Sequence, residues 1–354
     1  MNTLLIKSFE NLITQKHYEI ETLRLEKAEA KAIKSIQFKI INYKKALNSI
    51  KSYPKEITSG EQLKSYKGIG AGTINRINEL LEKGVIYSPK IKIDTANKNK
   101  IDLAKSLIRI TGVGPVKAQK LIEKNITLDI LLKAIENPND ASNKTIIDEL
   151  THHQILGLKY FHDLEKRIPH SEINDIQIYL QNIIKNIDSG LSFIICGSYR
   201  RLMKTSGDID ILIYHENINT IEEANDIEYL QILIKILSQN GFLLDHLTIK
   251  GNTKYMGMFR YMNNPARRID IRFIAKDCLG SAMLYFTGSG EFNKNMRTFA
   301  LKNGYTINEY GIYKLNKDKT KGAKIVANTE QDIFRILGLK YIEPKNRLST
   351  VNFI

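Results

Sequence analysis

Two carboxylates stand one residue apart in Gly207-Asp208-Ile209-Asp210-Ile211-Leu212-Ile213, and a third, Asp270, lies between arginines in Arg268-Ile269-Asp270-Ile271-Arg272. Along a strand, residues two apart share a face, so Asp208 and Asp210 project together while Ile209 and Ile211 enter a core. Carboxylates sharing one small space repel unless cations lie between them, and hard oxygen donors at this spacing suit Mg²⁺. A bare Asp-x-Asp is common and is often only a solvated turn. Here Cys196-Gly197-Ser198-Tyr199-Arg200-Arg201 shortly precedes it, behind the apolar run Phe193-Ile194-Ile195. A Gly-Ser turn entering a helix offers free backbone amides to a phosphate, and adjacent arginines add charge where a triphosphate would lie. Asp270 repeats the carboxylate logic on the polar face of a second strand. These residue types at this spacing suit transfer of a nucleotidyl group.

Such side chains need a sheet to hold them. The runs 193–196, 209–213 and 269–273 are apolar or alternating and are read as strands. Before them the pattern is helical. Residues 1–50 carry Leu23, Ala30, Ile33, Ile40 and Leu47 between Lys and Glu, the spacing of helical hairpins, and a further helical segment is expected from about Ile146 to Lys166. The fold class expected is α+β: an all-helical N-terminal part, then, after Pro169 and the helix that follows it, a mixed part built on a sheet.

The helical part repeats one pattern. Tyr66-Lys67-Gly68-Ile69-Gly70 and Ile110-Thr111-Gly112-Val113-Gly114-Pro115 each precede an Ile/Leu-periodic run. Glycines let another backbone approach closely, and the free amides of a helix start point at an arriving anion. One Gly-x-Gly is an ordinary tight turn, but two with the same flanks resemble helix-hairpin-helix motifs, which hold the sugar-phosphate backbone without reading sequence. That resemblance implies DNA contacts at Gly68, Gly70, Gly112 and Gly114. It also implies a monovalent cation, Na⁺ or K⁺, on the carbonyls of Lys64, Tyr66 and Ile69 in one copy and Ile108, Ile110 and Val113 in the other.

Composition agrees with a polyanionic partner. The 354 residues carry a formal net charge of +15, which attracts nucleic acid or an anionic membrane face. No run reaches the roughly 18 apolar residues of a spanning helix, and Lys7 and Glu10 fall where a signal peptide would be apolar. A soluble intracellular protein without membrane partners is expected. Two cysteines, Cys196 and Cys278, supply neither a disulfide framework nor a four-ligand zinc site.

From about Phe38 to Arg347 the chain resembles the X family of DNA polymerases, its beta type most of all. The likeness runs through the motifs above and through Tyr285-Phe286-Thr287-Gly288-Ser289, Phe292-Asn293-Lys294-Asn295-Met296-Arg297 and Thr306-Ile307-Asn308-Glu309-Tyr310. It implies four regions: a helical lyase-like DNA-binding domain over 1–95, a second helical DNA-binding subdomain over 96–168, a catalytic palm over 169–279 and a nucleotide-selection subdomain over 280–354. The 354 residues leave no room for the N-terminal BRCT domain of larger members, which favours short-gap synthesis over end joining.

The activity implied is template-directed repair synthesis on gapped or nicked double-stranded DNA from deoxynucleoside triphosphates, by a monomer. Two Mg²⁺ ions, replaceable by Mn²⁺, would be held by Asp208, Asp210 and Asp270, with Asp270 at the primer ion only. Arg167, Ser198, Arg201 and Gly207 would hold the triphosphate. Tyr285, Phe286 and Gly288 would meet the sugar and Asn293 the base edge. Lys254, Arg268, Lys294 and Arg297 would contact primer and template, and Lys39 and Tyr43 a downstream 5′-phosphate. Arg272 would pass from Asp210 to Glu309 and Tyr310 as the subdomain closes. The compartment implied is the nucleus for a cellular enzyme, and the cytoplasm or virion for a viral one.

Departures from the family pattern matter too. Where the beta type has its Schiff-base lysine this chain has Arg76, and a neighbouring phosphate-binding lysine is Gly72. A permanently charged guanidinium cannot act as that amine, so 5′-deoxyribose-phosphate lyase activity is expected to be absent or weak, unless Lys39, Lys64 or Lys83 reaches the sugar. Gly290 replaces an acid, and an insertion of about a dozen residues around Glu136 to Lys144 is read as a loop. The same carboxylates would serve a template-independent terminal transferase. A silent DNA-end-binding scaffold would need the hairpins alone.

Overall fold

The computed structural model describes residues 2–25, 29–66, 69–84, 95–248, 251–347 and 353. The chain divides into two compact units, Met1–Leu131 and Leu132–Ile354. Among the described residues no helix is long and apolar enough to cross a membrane.

The first unit is helical. Helices α1 (Thr3–Leu25) and α2 (Ala30–Ser52) pair lengthwise. Apolar residues at helical spacing, Leu5, Phe9 and Leu12 on one and Tyr43, Ala46, Leu47 and Ile50 on the other, form a single core with Leu63, Ile77 and Leu80. Helix α3 (Ala71–Lys83) follows the first glycine hairpin and ends at Gly84, whose left-handed φ of 71° closes it. Helices α4 (Thr95–Ile108) and α5 (Pro115–Glu123) flank the second hairpin, with Pro115 at the first position of α5, where it suits a helix start.

Beyond α6 (Leu128–Glu136), the segment expected to be a loop is half helical: α7 (Ala141–Ile147) starts on Asp140, whose side chain accepts from the amides of Ser142 and Asn143. The helical segment expected over Ile146–Lys166 is helical, in separate pieces. Thr151 and Gln154 form a capping box that begins a new helix, α8 (His152–Lys159), followed by the single turn α9 (Phe161–Leu164).

The second unit holds the sheet. After β1 (Ile168–Pro169) come α10 (His170–Ile187), β2 (Leu191–Ile195), the one-turn α11 (Gly197–Arg200), β3 (Thr205–Ser206) and β4 (Ile209–His215). Helices α12 (Ile221–Asp226) and α13 (Tyr229–Gln239) lead to β5 (Leu243–His246), β6 (Lys254–Phe259) and β7 (Arg267–Phe273). Five strands form one mixed sheet in the order β2-β4-β7-β6-β5, with β4 and β7 parallel at its centre. Alternate residues of β7, Ile269, Ile271 and Phe273, enter the core, so Arg268, Asp270 and Arg272 face outward.

Helices α14 (Leu279–Thr287) and α15 (Gly290–Lys302), the antiparallel strands β8 (Tyr305–Asn308), β9 (Gly311–Leu315) and β10 (Lys321–Ile325), and α16 (Glu330–Ile336) complete the unit around Phe292, Met296, Ile312 and Phe334. The architecture is the α+β fold that the sequence implied, a helical domain followed by a mixed-sheet unit.

Candidate active site

Register brings the carboxylates together. In the parallel pairing of β4 with β7, Asp210 is the direct partner of Asp270. Asp208 stands just before β4, on the same side as Asp210. The carboxyl of Asp210 is pushed up to about 7 by burial and by the charges of Asp208 and Asp270. Burial also raises Asp270, against the opposing pull of Arg268. Arg268 is the cation of this arrangement: its Nη2 donates to Asp208, and its Nε lies 3.6 Å from Asp270 Oδ1. That separation is too long for a hydrogen bond, and both Arg268 Nε and Asp270 Oδ1 are buried without a partner.

The set fits a divalent cation. A hard oxygen acceptor with nothing to accept from, beside a carboxylate destabilised by two others, is what such an ion relieves. As arranged around Arg268, no three His, Cys, Asp or Glu side chains among the described residues stand together closely enough to hold one.

The Gly-Ser turn lies directly against this set. Cys196 N–H donates to the Asp210 carbonyl at 2.8 Å. Gly197 adopts a left-handed φ of 57°, and a Cβ there would fall 2.5 Å from Asp210 Oδ2, so this position excludes any side chain. The helix it enters, α11, is a single turn with little dipole, so attraction for phosphate rests on side chains more than the sequence suggested. Ser198 Oγ donates to Ser206 Oγ at 2.8 Å. Arg167 is held on Thr205 through its side chain and carbonyl, and its Nη1 lies so near Gly207 that a Cβ there would be 3.0 Å away. Arg201 donates to the Thr287 carbonyl, and Gly288 sits beside it with a φ of 67°.

On α14 and α15, Tyr285 and Phe286 pack edge to face with ring centroids 5.1 Å apart. Asn293 donates to the Tyr285 carbonyl at 2.6 Å, and Arg297 lines a small hollow with Tyr285 and Asn293. Lys294 lies 3.7 Å from Glu291. Lys254 begins β6 opposite Arg272 and adds positive potential at Asp270. The Arg272 guanidinium lies over the Phe286 ring at 5.6 Å, and among the described residues it forms no ion pair with Asp210, contrary to the expectation.

Sequence reasoning missed a buried charge network on this unit. Arg200, Glu330 and Arg347 form a triad in which Glu330 accepts from Arg200 at 2.7 Å and from Arg347 at 2.6 Å. Arg347 is 0% exposed and is ringed by Phe292, Phe334 and Tyr341. Burial alone would raise Glu330, but the hydrogen bonds and charges of the two arginines hold it below the usual range. The only signal available was Arg200 in the Gly-Ser motif.

In the first unit the two hairpins share one backbone pattern. Tyr66 N–H donates to Leu63, Ile69 to Tyr66 and Ile74 to Gly70; correspondingly, Ile110 donates to Leu107, Val113 to Ile110 and Ala118 to Gly114. Of the carbonyls expected to hold a cation, those of Tyr66 and Ile110 are thus engaged within the turns. Gly112 needs its φ of 85°, but Gly70 and Gly114 have negative φ, and a Cβ on either would meet nothing within 4 Å. Both are the N-caps of the helices that follow, where glycine is favoured over alanine, and both leave the backbone amides beside them open to close approach. Gly68 lies outside the described residues. Lys39 is exposed, whereas Tyr43 is buried against Phe9 beneath the Arg76 guanidinium, which places it in the core rather than at a free surface. Arg76 also donates to the Gly72 carbonyl at 3.0 Å.

Comparison with known proteins agrees with this geometry. Residues 167–276 match the family model of the DNA polymerase beta palm, residues 282–348 that of the DNA polymerase beta thumb, and residues 2–86 a helix-hairpin-helix domain. The chain belongs to the X family of DNA polymerases. It is 28% identical over 332 residues to DNA polymerase lambda of Rattus norvegicus, covering 90% of this chain and 54% of that protein. It is 30% identical over 323 residues to DNA polymerase lambda of Arabidopsis thaliana, covering 86% of this chain and 57% of that one. The chain thus spans little more than half the length of these relatives. Dependence on divalent metal is general to the family.

Proposed function

We propose that this protein is a template-directed DNA repair polymerase that adds deoxynucleotides to a primer 3′-hydroxyl in short gaps. The observation that carries the reading is the direct register of Asp210 with Asp270, flanked by Asp208 and the Gly197 turn. In the reaction a bond forms between the primer O3′ and the α-phosphorus, the bond to the bridging oxygen breaks, and pyrophosphate leaves. Asp208, Asp210 and Asp270 would hold two Mg²⁺ ions, or Mn²⁺ in their place, which would supply Lewis-acid stabilisation of charge on the entering and leaving oxygens. Asp270, whose Oδ1 is unpartnered, accepts the proton of the hydroxyl.

Arg268, which donates to Asp208, would contact the DNA beside the carboxylates. Ser198, Arg201, Arg167 and the Gly207 backbone hold the triphosphate in line. Tyr285, Phe286 and Gly288 shape the sugar pocket, Asn293 meets the base edge, and Lys254, Lys294 and Arg297 contact the strands. The hairpins grip duplex phosphates, with Na⁺ or K⁺ on their carbonyls, and Lys39 faces a downstream 5′-phosphate. The units proposed are 1–95, 96–168, 169–279 and 280–354, acting as a monomer on gapped or nicked DNA inside the cell, in the nucleus if the source is cellular. Primer extension on a one-nucleotide gapped duplex with Mg²⁺ tests this. Incorporation should follow the templating base; equal addition of all four nucleotides, or addition to single strands, would sink the reading.

A further inference from the structure

We infer that the β9–β10 hairpin is a separate surface for the phosphate backbone of duplex DNA, an inference that rests on the polymerase reading. From Gly311 to Val326 the hairpin carries Lys314, Lys317, Lys319, Lys321 and Lys324, all exposed, against the single acid Asp318. Among the described residues none of the five lysines is paired with a carboxylate. Lys321 lies 3.7 Å above the Tyr313 ring, and Lys324 Nζ is 3.5 Å from Cys278 Sγ.

Protection of a sheet edge accounts for part of this charge, because lysines on an edge strand discourage pairing with another sheet. β10 is such an edge, which covers Lys321 and Lys324. It does not cover Lys314 on the middle strand β9, nor Lys317 and Lys319 in the turn. The turn is also preorganised. Asn316 N–H donates to the Thr320 carbonyl at 3.0 Å and Lys319 N–H to the Asn316 carbonyl at 2.9 Å, while Asp318 Oδ1 accepts from the Thr320 amide and hydroxyl. Lys319 has a φ of 66°, a backbone that favours Gly or Asn, yet the position holds a long cation.

The chemistry selects the partner. Protein interfaces centre on exposed aromatic or apolar anchors and are poor in lysine, and the hairpin's aromatic residue, Tyr313, is buried. Exposed ammonium groups of one sign, with the single valine Val326 just past β10 as the exposed large apolar side chain, suit a regular array of phosphates, bound without sequence preference.

The test compares two double variants of equal charge change, Lys317→Glu/Lys319→Glu in the turn and Lys185→Glu/Lys235→Glu on α10 and α13, by binding to gapped duplex across a salt series. The hairpin variant should bind roughly tenfold more weakly and lower the slope of log affinity against log salt by about two, with the control within about twofold of wild type. Its kcat at saturating DNA should be unchanged. Lys319→Gly removes a charge with a residue this backbone accepts, so a weaker affinity there cannot come from misfolding. Wild-type affinity in the hairpin variant, or equal weakening in both double variants, overturns the inference. So does retained DNA binding with lost affinity for polyglutamate, which would mark an acidic protein as the partner. If the wild type incorporates no nucleotide, the polymerase reading fails, and the affinity comparison still decides the hairpin.

Discussion

At Asp210 and Asp270 the protein concentrates charge in half-buried side chains that repel one another, whereas at Gly70 and Gly114 it offers bare backbone in open space. The first suits cations, through which it would act on a phosphate, and the second suits the phosphate itself. The first depends on which atoms stand at three positions and on a strand register that aligns them to within a residue. The second depends on main-chain amides, which every residue but proline supplies, and on the lack of two methyl groups. Chemistry should therefore be lost by single substitutions that leave binding nearly intact, while binding should erode in small steps that leave chemistry intact.

The largest effect should follow Asp270→Ala or Asp210→Ala. Each removes several kcal/mol of transition-state stabilisation, about 1,000-fold or more in single-turnover incorporation, while gapped-DNA affinity stays within about threefold. Wild-type turnover in Asp270→Ala would erase the contrast. Next in size is an effect on the stability of the second unit. Glu330→Gln should cost about 3 kcal/mol at pH 7 in denaturant unfolding, since it leaves two buried arginines short of their counter-charge. Because the folded Glu330 carboxyl lies below its unfolded value, its contribution is complete above the unfolded pKa and fades as pH falls through the folded one. The difference between variant and wild type should shrink accordingly in acid; a constant difference would contradict the linkage.

Smaller is the effect at the hairpins. Gly70→Ser and Gly114→Ser together should weaken DNA binding roughly tenfold and change unfolding free energy by less than about 1 kcal/mol, since serine is a good N-cap, whereas Gly112→Ala should cost about 1–2 kcal/mol through its left-handed backbone. Equal effects at all three positions would mean that the open glycines serve the fold. Smaller again, removing the 5′-phosphate from a gap should slow incorporation about threefold, and Lys39→Ala should abolish that preference. The least signal is expected from borohydride trapping on incised abasic DNA. With Arg76 engaged on Gly72 and Tyr43, little or no covalent adduct should form, and a strong one would overturn the expectation and point to Lys39, Lys64 or Lys83.

Much of the site was legible because strands reveal themselves by alternation. Ile269, Ile271 and Phe273 mark the buried side of β7, which fixes Asp270 on the other. What spacing could not reveal is that Asp270 lies beside Asp210, because the register of β4 on β7 is set by the whole sheet. The insertion read as a loop shows how composition misleads: Asn, Asp and Ser are turn formers, but Asp140 is also a helix cap, and the helix after it was there to be read. The same holds at Thr151 and Gln154, a capping box inside an apparently continuous helical stretch. Arg272 was misplaced for a different reason, since its contact with Phe286 joins two elements that no local pattern relates.

The triad of Arg200, Glu330 and Arg347 has a consequence for how this chain can change over generations. Two guanidiniums share one carboxylate, with Thr287, Tyr341 and the Ile342 carbonyl taking up remaining donors. Replacing Glu330 strands two positive charges, and replacing either arginine takes from a buried carboxylate part of its hydrogen bonding, so each one-step path out of the arrangement passes through a weakened protein. The three positions are therefore tied to one another's histories, and divergence here comes most readily as coordinated exchange, a constraint that the fold does not place on the exposed lysines of the β9–β10 hairpin.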